Sequence, residues 1–245
     1  MMNTAMILCA GFGTRMKGFT ENCPKPMLVL NGKPLLEYTI THLKKLGISN
    51  IIINLHYLHE MITSYFEDGH RWGVTIRYSY EDTPLGTAGA VKKVQRMLES
   101  ENDFLVLYGD VVTNYNFRRL IDFHKRQTSS TGTILLHERV KSNSIVEIDD
   151  NFLVTRFWER PLNDPAEKRQ NWVNSGLYCF NKKIFKYLKE ENIYCDFPKE
   201  IFSLLVGEKS LFGLPIGSAY RCAVDSPERF ARLTEDFNNN TFHIN

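Results

Sequence analysis

Residues Met6–Met27 read MILCAGFGTRMKGFTENCPKPM. The apolar pair Ile7 and Leu8 runs into a turn with Gly11, Gly13 and one arginine, Arg15. Lys25 follows, held between Pro24 and Pro26. A strand that breaks into a glycine-rich turn suits an anion, and two familiar loops have this outline. The dinucleotide fingerprint G-x-G-x-x-G fails, because its third glycine position is Met16. The G-x-x-x-x-G-K-[ST] loop fails too: Gly32-Lys33 is followed by Pro34, and position 27 is methionine.

What remains still has chemical content. Gly11 and Gly13 let the backbone approach a bulky anion and turn its amides toward it. Thr14 can donate a hydroxyl, and Arg15 offers a planar fork for bidentate phosphate contact. Pro24 and Pro26 stiffen the chain around Lys25 and lower the entropy lost on presenting its ammonium. Together these residues suit a triphosphate. Taken alone, GFGTR is equally compatible with a surface turn.

Outward from this loop, β-type runs alternate with helical patterns. Strands are expected at Ala5–Leu8, Asn50–Asn54, Thr75–Tyr80 and Phe104–Tyr108, each mostly apolar as in strands buried on both faces. Helices are expected at Pro34–Leu46, His59–Phe66, Thr87–Leu98 and Phe117–Lys125. The first carries Leu35, Thr39, Leu43 and Leu46 on one face. Repeated βα units imply a mostly parallel sheet with helices on both faces. The second half changes rhythm, with strands at Thr131–His137, Ser144–Ile148, Val154–Trp158 and Trp172–Phe180. Asp149-Asp150-Asn151 reads as a hairpin turn, and Leu162–Gln170 as a loop. Helices follow near Lys182–Glu190, at Phe197–Val206 and from Pro227. The expected organisation is one domain over 1–245, with a nucleotide half (1–126) and a β-rich sugar half (127–245).

The bulk numbers exclude several classes. Thirty basic against 28 acidic residues leave a net charge of +2, which argues against a nucleic-acid or membrane-surface binder. The five cysteines are odd in number and lack CxxC spacing, so neither a disulfide framework nor a zinc site is expected, and a reducing cytoplasm is the simplest home. No positively charged leader precedes the short apolar start, and no run approaches the roughly 18 apolar residues of a membrane span.

The combination is more specific than its parts. Gly-x-Gly-Thr-Arg after the first strand, followed by Pro-Lys-Pro, resembles the sugar-1-phosphate nucleotidyltransferases. EDTPLGTAGAV (Glu81–Val91) looks like that family's base-recognition segment, especially in mannose-1-phosphate guanylyltransferases. LYGDVV (Leu107–Val112) resembles the stretch bearing its metal-binding aspartate. FWERP (Phe157–Pro161) and VNSGLYCF (Val173–Phe180) resemble its sugar site. The resemblance spans nearly the whole chain and implies a Rossmann-like, glycosyltransferase-A-like α/β fold.

It also implies roles. Ala10, Gly11, Gly13 and Thr14 would cradle the nucleotide, with Gly86 and Thr87 near the base. Arg15 would hold the β- and γ-phosphates, Lys25 the α-phosphate, and Asp110 a Mg²⁺ ion. Gly109, Glu159, Arg160, Asn174 and Gly176 would receive the sugar phosphate, with Arg160 in place of the family's lysine. If Glu81 faces the base, guanine is favoured, since a carboxylate accepts from both donors of its pairing edge. The implied partners are a nucleoside triphosphate and a sugar 1-phosphate; the reading allows a homo-oligomer.

One departure stands out. Where the family carries Asp-Ile-Gly-x-Pro, with a second metal ligand, this chain reads YRCAVDSPERF. Aligned on Pro227, the ligand position is Ala223, and Asp225 stands where the family has glycine. Asp225 could serve as the metal ligand only if the backbone shifts; otherwise it, or Ser226, caps the helix from Pro227. Two alternatives therefore stay open: a regulatory paralogue with weak or no catalysis, and the same enzyme class using UTP, CTP or dTTP.

Overall fold

Ala5, Met6 and Ile7 are wholly buried, so the first strand, β1 (Thr4–Leu8), is covered on both faces. In the computed structural model, which describes residues 2–16, 18–138, 144–159 and 172–242, β1 is followed by the loop quoted above. Next come the short strands β2 (Val29–Leu30) and β3 (Lys33–Pro34), then α1 (Leu35–Lys45), β4 (Asn50–Leu55), α2 (His59–Phe66) and β5 (Thr75–Tyr80). The middle of the chain holds α3 (Gly86–Lys93), α4 (Gln95–Leu98), β6 (Asp103–Tyr108), β7 (Val111–Thr113) and α5 (Phe117–Arg126). The strands β8 (Gly132–Glu138), β9 (Ser144–Ile148), β10 (Val154–Glu159) and β11 (Trp172–Asn181) follow. The chain closes with α6 (Phe202–Gly207), β12 (Leu211–Pro215), β13 (Arg221–Ala223) and α7 (Pro227–Asn238). The architecture is the expected α/β class, a mostly parallel central sheet flanked by helices.

Two compact units are interleaved along the chain. The first comprises Met1–Pro84, Leu107–Tyr115 and Ala219–Asn245; the second comprises Leu85–Val106 and Asn116–Ser218. In the first unit, β4 pairs in parallel with β1 on one side and β5 on the other. Ile51, Ile52 and Ile53 bury every face of β4, as a central parallel strand requires. Further along, β13 pairs antiparallel with β7, placing Ala223 opposite Val111 and Arg221 opposite Thr113. Met16, Leu28, Leu30, Leu35, Val112, Val224 and Leu233 share one apolar cluster. At about 1.5–3 kcal/mol per fully buried side chain, that cluster ties the N-terminal loop to the C-terminal helix.

In the second unit, β11 pairs antiparallel with both β8 and β9, β10 pairs with β9, and β12 adds to β8 in parallel. The β9–β10 turn forms where expected, with Asp149 Oδ1 accepting from the amides of Asn151 and Leu153 at 2.9 Å. Asn116 caps α5, and Phe117, Leu120, Ile121 and His124 face inward at helical spacing.

Several elements differ from expectation. Pro34 precedes α1 rather than opening it, and the buried stripe is Leu35, Leu36, Glu37, Ile40 and Leu43, not Thr39 or Leu46. The helix expected over Thr87–Leu98 breaks at Val94, a buried β-branched residue outside helical geometry. Lys182–Lys186 is a single 3₁₀ stretch, because Asn181 caps it tightly and Tyr187 closes it with a bond to Ile184. Phe197–Ile201 is π-helical before α6 begins, with Phe197 stacked on Phe180 at 4.6 Å. The expected loop Leu162–Gln170 lies outside the described residues.

Candidate active site

The loop after β1 is shaped from within. Gly13 adopts φ +68°, open to glycine at little cost, and its carbonyl accepts from the Met16 amide at 2.8 Å and the Thr20 hydroxyl at 3.0 Å. A Cβ on Gly13 would lie 3.2 Å from the Lys25 side chain, so the glycine turn and the lysine arm lie against each other. Ala10 is buried, whereas Gly11, Thr14 and Arg15 are exposed. Pro24 and Pro26 build a 3₁₀ turn over Lys25–Met27, closed by the Met27 amide on Pro24 O at 2.8 Å.

Lys25 and Asp110 meet directly, Nζ to Oδ2 at 2.6 Å. Asp110 follows β6, and its carbonyl accepts from the Val224 amide at 2.8 Å, continuing the β7–β13 pairing. Arg15 meets Asp225, Nη1 to Oδ2 at 3.2 Å. Arg229, in the first turn of α7, holds the other oxygen of Asp225 at 3.2 Å. Arg221 adds a half-buried guanidinium; burial pushes its pKa down while nearby Asp110 opposes that shift. The carboxylates Asp110 and Asp225 thus face the cations Lys25, Arg15, Arg221 and Arg229, a surplus of positive charge suited to a polyanion.

Asp225 does not continue β13 on the same face, as its spacing from Ala223 suggests. The strand ends at Ala223, and the Asp225 amide turns back onto Ala223 O at 3.1 Å. Capping of α7 belongs to Ser226, whose hydroxyl accepts from the Arg229 amide.

Glu81 is buried, not directed to solvent. Its Oε1 accepts from Asn54 Nδ2 at 2.8 Å, and Asn54 Oδ1 in turn accepts from the Cys9 amide at 2.8 Å. Asn54 therefore braces the loop at the end of β1. Its signal in sequence is a polar residue ending the apolar run Ile51–Ile53. Gly109 packs where only hydrogen fits: a Cβ there would come within 2.5 Å of Cys9 Sγ. Nothing in local spacing points to Arg229, which enters only through the fold.

The remaining expected residues lie in the second unit. Gly86 opens α3 at φ +74°, and a Cβ there would strike Cys195 O. Thr87 Oγ1 accepts from the Phe197 amide at 2.9 Å and donates to Asp196 at 3.2 Å, tying α3 to the segment before α6. Asn174 and Gly176 form a bulge in β11: Asn174 Oδ1 accepts from the Gly176 amide at 3.0 Å, and Gly176 has φ +74°. Glu159 ends β10, paired with Ser144. Arg160 lies outside the described residues. No helix among the described residues is long and apolar enough to cross a membrane.

An α/β sheet whose first strand opens into a glycine-arginine loop, facing a lysine–aspartate pair, belongs to a known class. Residues 4–217 match the Nucleotidyl transferase family model, and the chain belongs to that family. It is 33% identical over 213 residues to the D-glycero-alpha-D-manno-heptose 1-phosphate guanylyltransferase of Campylobacter jejuni, covering 85% of this chain and 90% of that protein. It is 34% identical over 225 residues to the UTP–glucose-1-phosphate uridylyltransferase of Synechocystis, covering 86% of this chain but only 56% of that protein's length. The crystal structure of HddC from Yersinia pseudotuberculosis complexed with GMP-PN matches with a TM-score of 0.76 at 26% identity, over 96% of this chain and 100% of that one.

Proposed function

We propose that this protein transfers a nucleotidyl group from a nucleoside triphosphate, GTP by preference, to a sugar 1-phosphate, releasing pyrophosphate. The observation that carries this reading is the Lys25–Asp110 pair, set beside the Arg15 loop in a chain of the nucleotidyl transferase family. A sugar-phosphate oxygen attacks the α-phosphorus, and the bond from that phosphorus to the pyrophosphate oxygen breaks. Two anions must meet in line, so neutralisation and alignment carry most of the catalysis. Arg15 grips the β- and γ-phosphates, and Lys25 moves from Asp110 to the α-phosphate as charge develops there. The amides of the Gly11–Gly13 turn complete the cradle. Glu159, Asn174 and Gly176, with Arg160, serve the sugar phosphate.

Asp110 fits a divalent cation. Its carboxylate is a hard oxygen donor, and Mg²⁺ is usually held by one or two carboxylates with substrate phosphates and water. Mg²⁺ bound there would neutralise phosphate charge. Guanine preference rests on the guanylyltransferase relative; Glu81, engaged by Asn54, does not carry it. Pyrophosphate release from GTP, UTP, dTTP, CTP and ATP against a panel of sugar 1-phosphates tests both points. A preference for UTP or dTTP would overturn the guanine assignment.

Ala223 favours a second reading, a sugar-nucleotide-binding regulator without turnover. Tight sugar-nucleotide binding with no pyrophosphate release would select it.

A further inference from the structure

Asp225 is held from two directions. Its Oδ2 lies 3.2 Å from Arg15 Nη1 and its Oδ1 lies 3.2 Å from Arg229 Nη1. Ser226 caps α7, so the Asp225 carboxylate is not spent on the helix. The turn after Ala223 carries the residue off β13. Behind each partner, the next residue in sequence is anchored: Met16 beside Arg15 and Val224 beside Asp225 are both fully buried, in one cluster with Leu233 of α7. Burial of those neighbours holds the two backbones close, so little chain entropy opposes the side-chain contact.

Arg15 itself is long and 62% exposed, with rotamers to lose when it grips a ligand. The contact uses a single guanidinium nitrogen, whereas the fork carries five N–H donors. We propose that Asp225 is the positioning residue of the phosphate-binding arginine: fixed by Arg229, it holds one edge of the Arg15 guanidinium and leaves the rest of the fork to the triphosphate. The proposal rests on the reading of Arg15 as a phosphate ligand. It gives Asp225 a task distinct from both capping and metal binding.

The test is GTP binding to the full chain by calorimetry, with steady-state kinetics and thermal melts alongside. Asp225→Asn should weaken GTP about threefold, the scale of one exposed ion pair, and raise the KM for GTP by a similar factor. The kcat should stay within about twofold, since the contact exists before chemistry. Melting should barely move, because exposed ion pairs add little stability. Asp225→Glu should restore affinity, Arg229→Gln should weaken it in the same direction, and Asp225→Asn should add nothing in an Arg15→Gln background. Unchanged or tighter GTP binding in Asp225→Asn overturns the proposal. So does a fall in kcat with a raised Mg²⁺ requirement, which would make Asp225 a metal ligand. If wild-type protein binds none of the nucleoside triphosphates, the functional reading falls and takes the proposal with it; if wild-type protein binds and the variant binds equally, only the proposal falls.

Discussion

Lys25 Nζ and Asp110 Oδ2 are 2.6 Å apart although 85 positions separate them in the chain. Each is mostly buried, so each needs a partner when no phosphate is present. Asp110→Asn should lower turnover at least about a hundredfold, as expected when a group acting on developing charge is lost. The variant should still unfold cooperatively, with a loss of about 1–3 kcal/mol for the stranded Lys25. Undiminished pyrophosphate release would refute the role of Asp110. The contrast with Asp225→Asn, where turnover should persist, separates the two carboxylates.

Gly109 presses its backbone on the end of β1, its amide donating to Leu8 O at 2.9 Å. An alanine there would push Cβ to 2.5 Å from Cys9 Sγ and 3.0 Å from Leu8 O. Gly109→Ala should cost about 1–3 kcal/mol of stability by overpacking. Adding Cys9→Ala should recover part of that loss, measured by urea unfolding of the single and double variants.

Asn54 joins the Cys9 amide to the Glu81 carboxylate. Asn54→Ala would strand a buried N–H and remove a donor from a buried carboxylate. The expected cost is about 2–3 kcal/mol, with faster hydrogen exchange at the Cys9 amide than in wild type. Unaltered protection of that amide would show that another group braces the loop.

The second unit carries a buried polar network that should set its acid sensitivity. His124 Nδ1 lies 2.8 Å from Thr133 Oγ1, and its Nε2 lies 3.5 Å from Asp103, which also accepts from Asn181 at 2.8 Å. The hydrogen bond from His124 lowers the Asp103 pKa, joined by that from Asn181, against the opposing effect of burial. A carboxyl more acidic folded than unfolded binds fewer protons in the native state. Its stabilisation is therefore full above the unfolded value, about pH 4, and drains as pH falls through the lower native value. The stability gap between wild type and Asp103→Asn should be widest above about pH 5, begin to narrow below about pH 4 and close as pH falls through the lower native value, in urea titrations. A constant gap across that range would exclude the linkage.

Much of the α/β rhythm was legible because it is local. Buried strands such as Ile51–Ile53 are apolar without period, and Ser226-Pro227 marks a helix start within two residues. The strands β7 and β13 were not legible. Each has three residues, and each finds its partner about 110 positions away, as in Arg221 opposite Thr113, so neither leaves a periodic trace. The same divide runs through the site. Arg15, Lys25 and Asp110 stand out through short motifs, whereas Asn54 and Arg229 matter only by whom they touch. The side chain of Asp225 could not be aimed from sequence, because a backbone turn after Ala223 decides its direction.

The burial of the cysteines gives each unit its own clock. Cys9 is buried in the first unit, and Cys179 and Cys195 are buried in the second. Burial shields all three thiols from an alkylating reagent and raises their pKa, most strongly at Cys9 and Cys179. Cys23 and Cys222 are only partly covered. A reagent added to native protein should therefore mark those two first and reach the others only as their surroundings open. Peptide mapping of slow labelling would time the opening of the two units separately, with no engineered probe.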